Sequence, residues 1–254
     1  MKNVPNIFTL LNLFFGCIAI VCILQNGITV VYTNEGQVYT DIPEKMWLAP
    51  LFICLAALVD FLDGFLARLL NQTSALGKEL DSLADVVSFG VAPGMILYQF
   101  LRMSFMGQEN GTDVSMIWLL PAFILPCAAA YRLAVFNLDT IQSKSFRGVP
   151  VPAVGLMVAS LPIIYWTRSS NLVLTVLWNK WYLYLMIVFL SAMMISRVPI
   201  LSMKVGGKKD PQTLPRIILL LLSLISVIFL HWLAVPVIFL FYIIISLAFK
   251  NRIA

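Results

Sequence analysis

Long apolar runs, separated by short polar stretches, recur along the whole chain of 254 residues. Within each run the apolar residues are continuous rather than alternating, which favours membrane helices over the strands of a membrane barrel. The predicted spans cover roughly residues 7–30, 46–70, 79–101, 116–137, 150–168, 172–200, 213–230 and 232–249, each near the ~20 residues that cross a bilayer. The pattern predicts an all-α, polytopic membrane helical bundle of about six to eight helices, and the last two are either separate or one pair kinked at His231.

The composition agrees with a membrane protein. Hydrophobic residues make up 61% of the chain, charged residues only 11%, and the mean hydropathy is +0.93. A water-soluble domain of this length needs far more polar surface. The sequence shows no basic face with interleaved aromatic residues, so the net charge of +5 does not indicate a nucleic-acid partner.

The distribution of Lys and Arg predicts the orientation of the helices. With eight spans and the amino terminus inside, thirteen of the 17 Lys and Arg residues fall on the cytosolic side, where positive residues are enriched in membrane proteins. We expect a multi-pass membrane protein with its amino terminus on the cytosolic side. No repeat or long linker divides the sequence. It therefore predicts one membrane domain over 1–254.

Four aspartates are concentrated in the otherwise apolar stretch VDFLDGFLARLLNQTSALGKELDSLADVVSFG (59–90). On the second predicted helix, one face carries Asp60, Asp63, Gly64, Ala67 and Arg68. On the third, one face carries Gly77, Asp81 and Asp85. The short polar turn NQTSALGKE (71–79) makes the two helices antiparallel neighbours. We therefore expect the two acidic faces to meet a little inside the cytosolic boundary.

Energetics favour a bound cation between these acidic faces. A carboxylate in a membrane helix costs about 2.5–3.5 kcal/mol at the bilayer centre and less near a helix end. Two carboxylates at ~4 Å repel each other by about 4 kcal/mol at an effective dielectric constant near 20. Arg68 and Lys78 cannot neutralise four such groups, whereas one or two divalent cations can. Carboxylate ligation is typical of Mg²⁺ or Mn²⁺ and also suits Ca²⁺, and two such ions can clamp a pyrophosphate.

The four aspartates could also form an acidic helix edge that arose by chance, or a structural ion-pair network with Arg68. Neither possibility accounts for the two glycines, Gly64 and Gly77, that share the acidic faces. A glycine within a helix is destabilising relative to alanine, so Gly64 makes sense if a ligand must approach the backbone closely.

The eight positions from Asp60 to Asp85 match in full the pattern D-x2-D-G-x2-A-R-x8-G-x3-D-x3-D. The chain therefore resembles the CDP-alcohol phosphatidyltransferases. The resemblance implies a six-helix catalytic membrane core at about 1–200 with about two further helices at about 213–249, a homodimer, and two divalent ions. With the predicted orientation, it also implies an active site at the cytosolic face of a prokaryotic cell (inner) membrane. It also implies transfer of a phosphatidyl group from CDP-diacylglycerol to an alcohol, with release of CMP.

The resemblance also implies roles for single residues. Asp60, Asp63 and Asp81 are the expected metal ligands, and Asp85 is expected both to bind metal and to serve as the general base for the acceptor hydroxyl. The expected nucleotide-binding residues are Asp60, Gly64, Ala67, Arg68, Gly77 and Asp81. Among them, Gly64 would leave room for cytidine and Arg68 would lie near phosphate.

Three further stretches resemble the phosphatidylserine synthases of this family and so imply L-serine as the acceptor. They are VPNIFTLLNLFFGCIAI (4–20), YRLAVFN (131–137) with FRGVPVPA (146–153), and MMISRVPILSMK (193–204). Val135 and Val149 depart from the usual Arg and Leu of that subgroup, and the first departure removes a cation from the predicted substrate side.

Serine carries a carboxylate, so its binding needs a nearby cation. The candidate acceptor-binding residues are Arg132, Asn137, Lys144 and Arg147. Each cation is alternatively a topology signal at the interface. Asn12 and Asn137 either position substrate or bond across helices.

Three further functions stay open at the level of the sequence. The first is the same reaction with glycerol 3-phosphate or inositol phosphate as acceptor, which should require additional arginines near Asp85. The second is a cation transporter, although its site belongs near the bilayer midplane. The third is a membrane scaffold with an inactive site, which the intact set of four aspartates disfavours.

Overall fold

The architecture is a bundle of α-helices. The structure, a computed structural model, describes residues 4–25, 29–32, 38–41, 45–69, 74–106, 114–138, 146–167, 171–202 and 211–250. The helices in this part of the chain are α1 Val4–Leu24, α2 Ala49–Leu69, α3 Ala75–Asp85, α4 Ala92–Met106, α5 Ile124–Leu138, α6 Val151–Trp166, α7 Asn171–Leu177, α8 Lys180–Ile195, α9 Thr213–Leu230 and α10 Ala234–Ala248. The predicted all-α class is confirmed.

Five helical stretches are long and apolar enough to cross a membrane. They are Pro5–Leu24, Met46–Leu69, Ala75–Phe105, Leu120–Leu138 and Thr213–Ala248. Two shorter apolar helices, α6 and α8, accompany them. The stretch Thr213–Ala248 is divided where His231 takes a φ of 48°, so α9 and α10 are separate helices with a break at the predicted position. The protein is an integral membrane protein.

Two predicted segments have different boundaries in the structure. The first predicted span, 7–30, ends as a helix at Leu24, and Thr29–Tyr32 (β1) instead pairs antiparallel with Val38–Asp41 (β2). The sixth predicted span, 172–200, is interrupted at Trp178 and Asn179. The Asn179 side chain accepts a hydrogen bond from the Trp181 N–H (3.0 Å) and so caps the start of α8. The sixth prediction was wrong in treating α7 and α8 as one helix.

A π-helical turn, Val86–Val91, joins α3 to α4 within one continuous helical stretch. Its residues are packed closely by neighbouring helices at glycines. A Cβ on Gly16 of α1 would lie 2.9 Å from the Ser88 Cα, and one on Gly155 of α6 would lie 3.0 Å from the Phe89 Cα. Only glycine permits such approaches, so α1 and α6 are fixed against the turn that follows Asp85.

The C-terminal helices are tied to the core through a short ladder. Phe146–Arg147 (β3) pairs antiparallel with Pro199–Ile200 (β4). The Tyr242 hydroxyl of α10 donates to the Leu201 carbonyl (3.1 Å), and the Leu201 N–H donates to Ser246 Oγ (3.1 Å). The segment that follows β4 is therefore held by α10, and β3 is held by β4.

Candidate active site

Helix α3 is capped at its start by Ser74. Ser74 adopts an extended backbone conformation, and its side chain accepts a hydrogen bond from the Gly77 N–H at 3.0 Å. This is an N-cap, which satisfies one of the unpaired donors of the first helical turn. The cap fixes where α3 begins and therefore which of its residues face α2.

Three of the four aspartates converge between α2 and α3. One oxygen each of Asp60, Asp63 and Asp81 can be chosen so that all three lie within 4.8 Å of one another. Asp63 is buried, and the other two are half-buried. This confirms that the two acidic faces meet. We call these three residues the aspartate trio.

The fourth aspartate lies one helical turn beyond Asp81 and is buried. Asp85 Oδ1 accepts a hydrogen bond from Asn12 Nδ2 at 3.2 Å. Asp85 also interacts electrostatically with the trio. The structure thus gives Asp85 a protein partner of its own, while its expected role as a further metal ligand stays a prediction.

Helix α1 supplies a polar stripe that faces the aspartates. Thr9 Oγ1 donates to Asp63 Oδ2 at 2.7 Å, and Asn12 holds Asp85. The Asn12 backbone carbonyl accepts from Ser88 Oγ at 3.0 Å, which ties α1 to the π-helical turn. Both Thr9 and Asn12 are buried. Two of the four aspartates therefore owe their orientation to α1, and the expected bonding of Asn12 across helices is confirmed.

A cavity of about 470 Å³ opens beside the trio, between α1, α2 and α3. Its volume is in the range of small-molecule sites. The residues that line it are Pro5, Asn6, Thr9, Asp63, Gly64, Ala67, Ser74, Ala75, Gly77, Lys78 and Asp81. The structure therefore brings four of the six predicted nucleotide-binding residues to one cavity wall. We call this space the nucleotide-side cavity.

The two glycines of the signature have different surroundings. Among the described residues, a Cβ on Gly64 would meet only the tip of the Arg68 side chain, at 3.5 Å from one of its terminal nitrogens. A Cβ on Gly77 would lie 3.0 Å from Ser74 Oγ and 3.1 Å from Asn6 Oδ1. Gly64 thus leaves open space where a ligand can reach the backbone, whereas a side chain at Gly77 would press against the cap and α1.

The three predicted acceptor-side cations, Arg132, Arg147 and Lys144, are described by the structure to different extents. Arg132 is half-buried, its Nη2 donates to the Gly148 carbonyl at 3.2 Å, and it interacts electrostatically with Asp85 and Tyr242. Its Nε is buried without a hydrogen-bond partner among the described residues. Of Arg147, the structure describes the backbone in β3, and Lys144 lies outside the described residues.

Asn137, the fourth acceptor-side candidate, ties α5 to α3. Its Nδ2 donates to Ser82 Oγ at 2.9 Å, and its backbone carbonyl accepts from Lys78 Nζ at 2.9 Å. The expected cross-helix bonding is confirmed here as well. A role of Asn137 in binding the acceptor stays a prediction.

Gly148, which accepts from Arg132, adopts a left-handed backbone conformation with φ of 72°. A Cβ there would lie 2.5 Å from the Met194 carbonyl oxygen and 2.8 Å from that of Ser196. Both the torsion and the space require glycine. This turn brings the end of β3 to Arg132. It belongs to FRGVPVPA (146–153), one of the stretches whose resemblance implies L-serine as the acceptor.

The trio fits a divalent cation. Its donors are all carboxylate oxygens, the chemistry that hard cations prefer. Asp81 Oδ1 is buried and has no hydrogen-bond partner among the described residues, which is costly unless a ligand satisfies it. A cation held by Asp60, Asp63 and Asp81 would satisfy this oxygen and remove the mutual repulsion of the three carboxylates.

Several residues of the site were not predicted from the sequence. Thr9, Asn6, Ser74 and Lys78 line the nucleotide-side cavity, and none was assigned a role. The signal was present for the first two. Asn6 and Thr9 recur with Asn12 at helical spacing within VPNIFTLLNLFFG, which predicts one polar face on an otherwise apolar helix.

Comparisons with known proteins agree with this site. The profile of the CDP-alcohol phosphatidyltransferase family matches residues 2–192. A protein of Saccharomyces cerevisiae is 36% identical over 172 residues, which cover 63% of this chain and 54% of the relative. One from Helicobacter pylori is 36% identical over 156 residues, covering 61% and 54%, and one from Bacillus subtilis is 31% identical over 171 residues, covering 65% and 78%.

All three relatives are named CDP-diacylglycerol–serine O-phosphatidyltransferase. The chain spans about half the length of the yeast and Helicobacter relatives that it matches. The family is divalent-metal dependent, which agrees with the fit of the aspartate trio to a cation. The family match covers the helices that form both the aspartate trio and the nucleotide-side cavity, and the chain belongs to the CDP-alcohol phosphatidyltransferase family.

Proposed function

We propose that the protein transfers the phosphatidyl group of CDP-diacylglycerol to the hydroxyl of L-serine, giving phosphatidylserine and CMP. The observation that carries this proposal is the aspartate trio beside a cavity lined by the signature residues Gly64, Ala67 and Gly77. The names of the relatives and the three serine-type stretches support serine as the acceptor. The protein is thus proposed to be a phosphatidylserine synthase.

In the proposed reaction, the serine hydroxyl oxygen attacks the phosphorus that carries diacylglycerol. The bond from that phosphorus to the bridging pyrophosphate oxygen breaks, CMP leaves with the electron pair, and the serine proton is taken up by a base. We assign the role of this base to Asp85, because its carboxyl group is buried next to the trio and accepts a hydrogen bond from Asn12. A positioned base of this kind contributes about 10²–10⁴-fold to the rate.

We assign one or two divalent ions, Mg²⁺ or Mn²⁺, to Asp60, Asp63 and Asp81, with Asp85 as a further ligand. Such ions neutralise a pyrophosphate and stabilise the departing phosphate oxygen. The protein's own contribution is orientation. Thr9 fixes one oxygen of Asp63, and Asn12 fixes one of Asp85, so both carboxylates are held before substrate binds.

The nucleotide-side cavity is assigned to the CDP portion of the donor. Gly64 leaves its backbone accessible to the cytidine, and Arg68 reaches across that glycine towards the proposed phosphate position. Lys78 lines the same cavity and provides a second cation. A ligand with two phosphates matches these two cations and the metal site.

The acceptor is assigned to the side of Asp85 where Arg132 lies. Arg132 has a buried Nε without a hydrogen-bond partner among the described residues, which suits a carboxylate ligand such as that of serine. Arg147 follows in β3, next to the turn that bonds Arg132. We propose that these two cations bind the serine carboxylate, with Lys144 and Asn137 as further candidates.

We also propose that the site faces the cytosol of a prokaryotic cell, in the inner membrane, and that the enzyme is a homodimer. The charge distribution supports the sidedness, because most Lys and Arg residues fall on the side of the α2–α3 turn. The homodimer is implied by the family resemblance alone.

One assay tests the proposed function. Purified full-length protein in detergent micelles would receive labelled CDP-diacylglycerol, Mg²⁺ or Mn²⁺, and in turn serine, glycerol 3-phosphate or inositol phosphate. We expect labelled phosphatidylserine and an equal amount of CMP with serine only. A lipid product formed with one of the phosphorylated alcohols instead would overturn the serine assignment and leave the transferase assignment in place.

The transporter alternative makes the opposite prediction. A cation carrier has no reason to release CMP from CDP-diacylglycerol. If the protein in sealed vesicles moved Mn²⁺ across the membrane and formed no CMP with any acceptor, the enzyme proposal would be wrong.

A further inference from the structure

Helix α10 lies beyond residue 192, where the family match ends, yet it reaches the acceptor side of the site. Its residue Tyr242 is buried and interacts electrostatically with Arg132, the cation assigned above to the serine carboxylate. The family match assigns α10 no role in the reaction. Arg132 and α10 are nevertheless connected by a chain of hydrogen bonds that runs through the segment containing β4.

The first link of this chain is the bond from Arg132 to a backbone carbonyl. Its Nη2 donates to the Gly148 carbonyl at 3.2 Å, so the direction of the guanidinium depends on where Gly148 lies. The Gly148 N–H in turn donates to the Val198 carbonyl at 2.9 Å, and the Val149 N–H donates to the Met193 carbonyl at 3.1 Å. The position of Gly148 is therefore set by the segment that leads from the end of α8 into β4.

The last link is at Leu201, directly after β4, where α10 holds the same segment. The Tyr242 hydroxyl donates to the Leu201 carbonyl at 3.1 Å, and the Leu201 N–H donates to Ser246 Oγ at 3.1 Å. Tyr242 and Ser246 are four residues apart and so share one face of α10. All three residues are buried, where an unpaired carbonyl or N–H is costly. Helix α10 thus fixes the segment whose strand pairs with β3.

Tyr242 differs from Ser246 because it acts on both ends of this connection. It holds the Leu201 carbonyl, and it is close enough to Arg132 to interact with it electrostatically. A guanidinium that binds a carboxylate through its planar fork has to be held in one orientation. The bond to Gly148 orients Arg132, and the buried Nε, which has no hydrogen-bond partner within the described part of the chain, is left for a ligand.

We propose that Tyr242 is a positioning residue for the acceptor, because it holds Arg132 in the orientation that binds the serine carboxylate. This inference rests on the proposed function and on the assignment of Arg132 to the acceptor side. It gives α10, which lies outside the family match, a part in serine binding. Since Tyr242 acts through Arg132 and not on the reacting atoms, its loss should weaken serine binding and leave the chemical step nearly intact.

The test is Tyr242→Phe, which keeps the ring and removes only the hydroxyl. Steady-state rates of the full-length protein in detergent micelles would be measured with serine and CDP-diacylglycerol varied in turn. We expect the KM for serine to rise about fivefold, the low end of the effect of leaving a buried carbonyl unpaired. The kcat and the KM for the donor should stay within about twofold of the wild type, because the aspartates and the nucleotide-side cavity are unchanged.

Tyr184→Phe is the matched control. The Tyr184 hydroxyl donates to the Trp118 carbonyl at 2.6 Å, which is the same kind of bond at a different place. Trp118 precedes α5, so this bond is separated from Arg132 by more than two turns of that helix. We expect both KM values and the kcat of Tyr184→Phe to equal those of the wild type.

A double-mutant cycle distinguishes positioning of Arg132 from a general loss of packing. Arg132→Lys keeps the positive charge and removes the planar fork. If Tyr242 acts through Arg132, adding Tyr242→Phe to Arg132→Lys should raise the KM for serine by less than about twofold. Multiplication of the two single effects would show that Tyr242 acts elsewhere and would overturn the proposal.

Hydrogen exchange, followed by mass spectrometry, tests the connection without any substrate. In Tyr242→Phe the segments 146–149 and 198–202 should exchange about fivefold faster than in the wild type, because the bonds that hold them open more often. In Tyr184→Phe they should exchange as in the wild type. This measurement needs no turnover. If the wild type forms no phosphatidylserine, the proposed function is wrong, and the exchange rates still decide whether Tyr242 holds the segment that bonds Arg132.

Three further results would overturn the proposal. The first is an unchanged KM for serine in Tyr242→Phe while the wild type forms phosphatidylserine. The second is an equal rise in the KM values for serine and for the lipid donor. The third is unchanged hydrogen exchange in both segments.

Discussion

The corner of α1–α3 and helix α9 use polar side chains in different ways. In the corner formed by α1, α2 and α3, hydroxyl and amide groups bond across helices, as from Thr9 to Asp63 and from Asn12 to Asp85. Thr9 Oγ1 also lies 3.2 Å from the Pro5 carbonyl of its own helix, but the Asp63 oxygen is nearer, at 2.7 Å. In α9, serines bond within their own helix: Ser223 to the Leu219 carbonyl and Ser226 to the Leu222 carbonyl, each at 2.7 Å. Both kinds of residue lie in strongly apolar helices, and the hydroxyls of Thr9, Ser223 and Ser226 each have an acceptor.

The difference shows which polar residues in a membrane helix indicate a site. A serine that bonds to the carbonyl four residues earlier needs no partner from another helix. A threonine that bonds to a carboxylate of a neighbouring helix fixes the position of that carboxylate. The corner of α1–α3 therefore holds a set of oriented carboxylates, whereas α9 is an apolar helix whose serine hydroxyls are satisfied within it. Substitutions in the corner of α1–α3 should therefore lower activity, whereas substitutions of the α9 serines should leave it nearly unchanged.

The largest effect is expected at Asp85. Asp85→Asn keeps the size of the side chain and removes the proposed base, so turnover should fall by about 10³-fold while CDP-diacylglycerol binding is retained. Steady-state rates and binding of radiolabelled donor measure the two quantities separately. If the variant turned over within about tenfold of the wild type, the base would have to be another group.

A smaller effect is expected at Thr9, which supports a carboxylate of the trio. Thr9→Val removes the hydroxyl that holds Asp63 and should lower kcat/KM by about 10–100-fold, the usual effect of losing a residue that orients a metal ligand. Thr9→Ser restores the donor and should recover most of the activity. Equal activities of all three proteins would show that α1 does not orient the aspartates.

The two regions meet at β3 and β4, where Arg147 is placed by a ladder whose continuation bonds to α10. Arg147→Ala should raise the KM for serine by about tenfold, since it would remove the proposed charge-assisted hydrogen bond to the serine carboxylate, and change the KM for the lipid donor little. Arg197→Ala, at an exposed position beside β4, is the matched control. An equal rise in both KM values would indicate general distortion.

The smallest effect is expected in α9. Ser226→Ala removes a bond within one helix and should change stability by less than about 0.6 kcal/mol and leave activity near that of the wild type. Thermal unfolding followed by circular dichroism, with the CMP-release assay, checks both. A loss of activity as large as that of Thr9→Val would contradict the distinction between the corner of α1–α3 and helix α9.

The sequence predicted the helical class, the break at His231 and the meeting of the two acidic faces, because these depend on local spacing and on one short connection. It did not predict that Thr9 and Asn12 bond to particular aspartates. That depends on the rotation of α1, which the close approach of Gly16 to Ser88 fixes from far along the chain. The hydrophobic pattern of Val86–Val91 does not differ from that of the α-helices on either side, so the sequence did not predict this π-helical turn.

Two further features were missed although a local signal was present. The β1–β2 hairpin is rich in β-branched and aromatic residues, TVVY and VYTD, which favour strands. Asn179 is a favoured N-cap residue and predicts a helix start within the apolar run 172–200. In both places the apolar run continues past the end of a helix, so the length of the run alone does not locate that end.

Binding of Mn²⁺ to the full-length protein, measured by electron paramagnetic resonance without any substrate, tests the central claim most directly. The wild type and Ser226→Ala should bind Mn²⁺ saturably and alike. Asp81→Asn should weaken binding by more than about 100-fold, since it removes a direct ligand rather than a residue that supports one. Equal Mn²⁺ binding by the wild type and Asp81→Asn would contradict the account of the aspartate trio as a metal site.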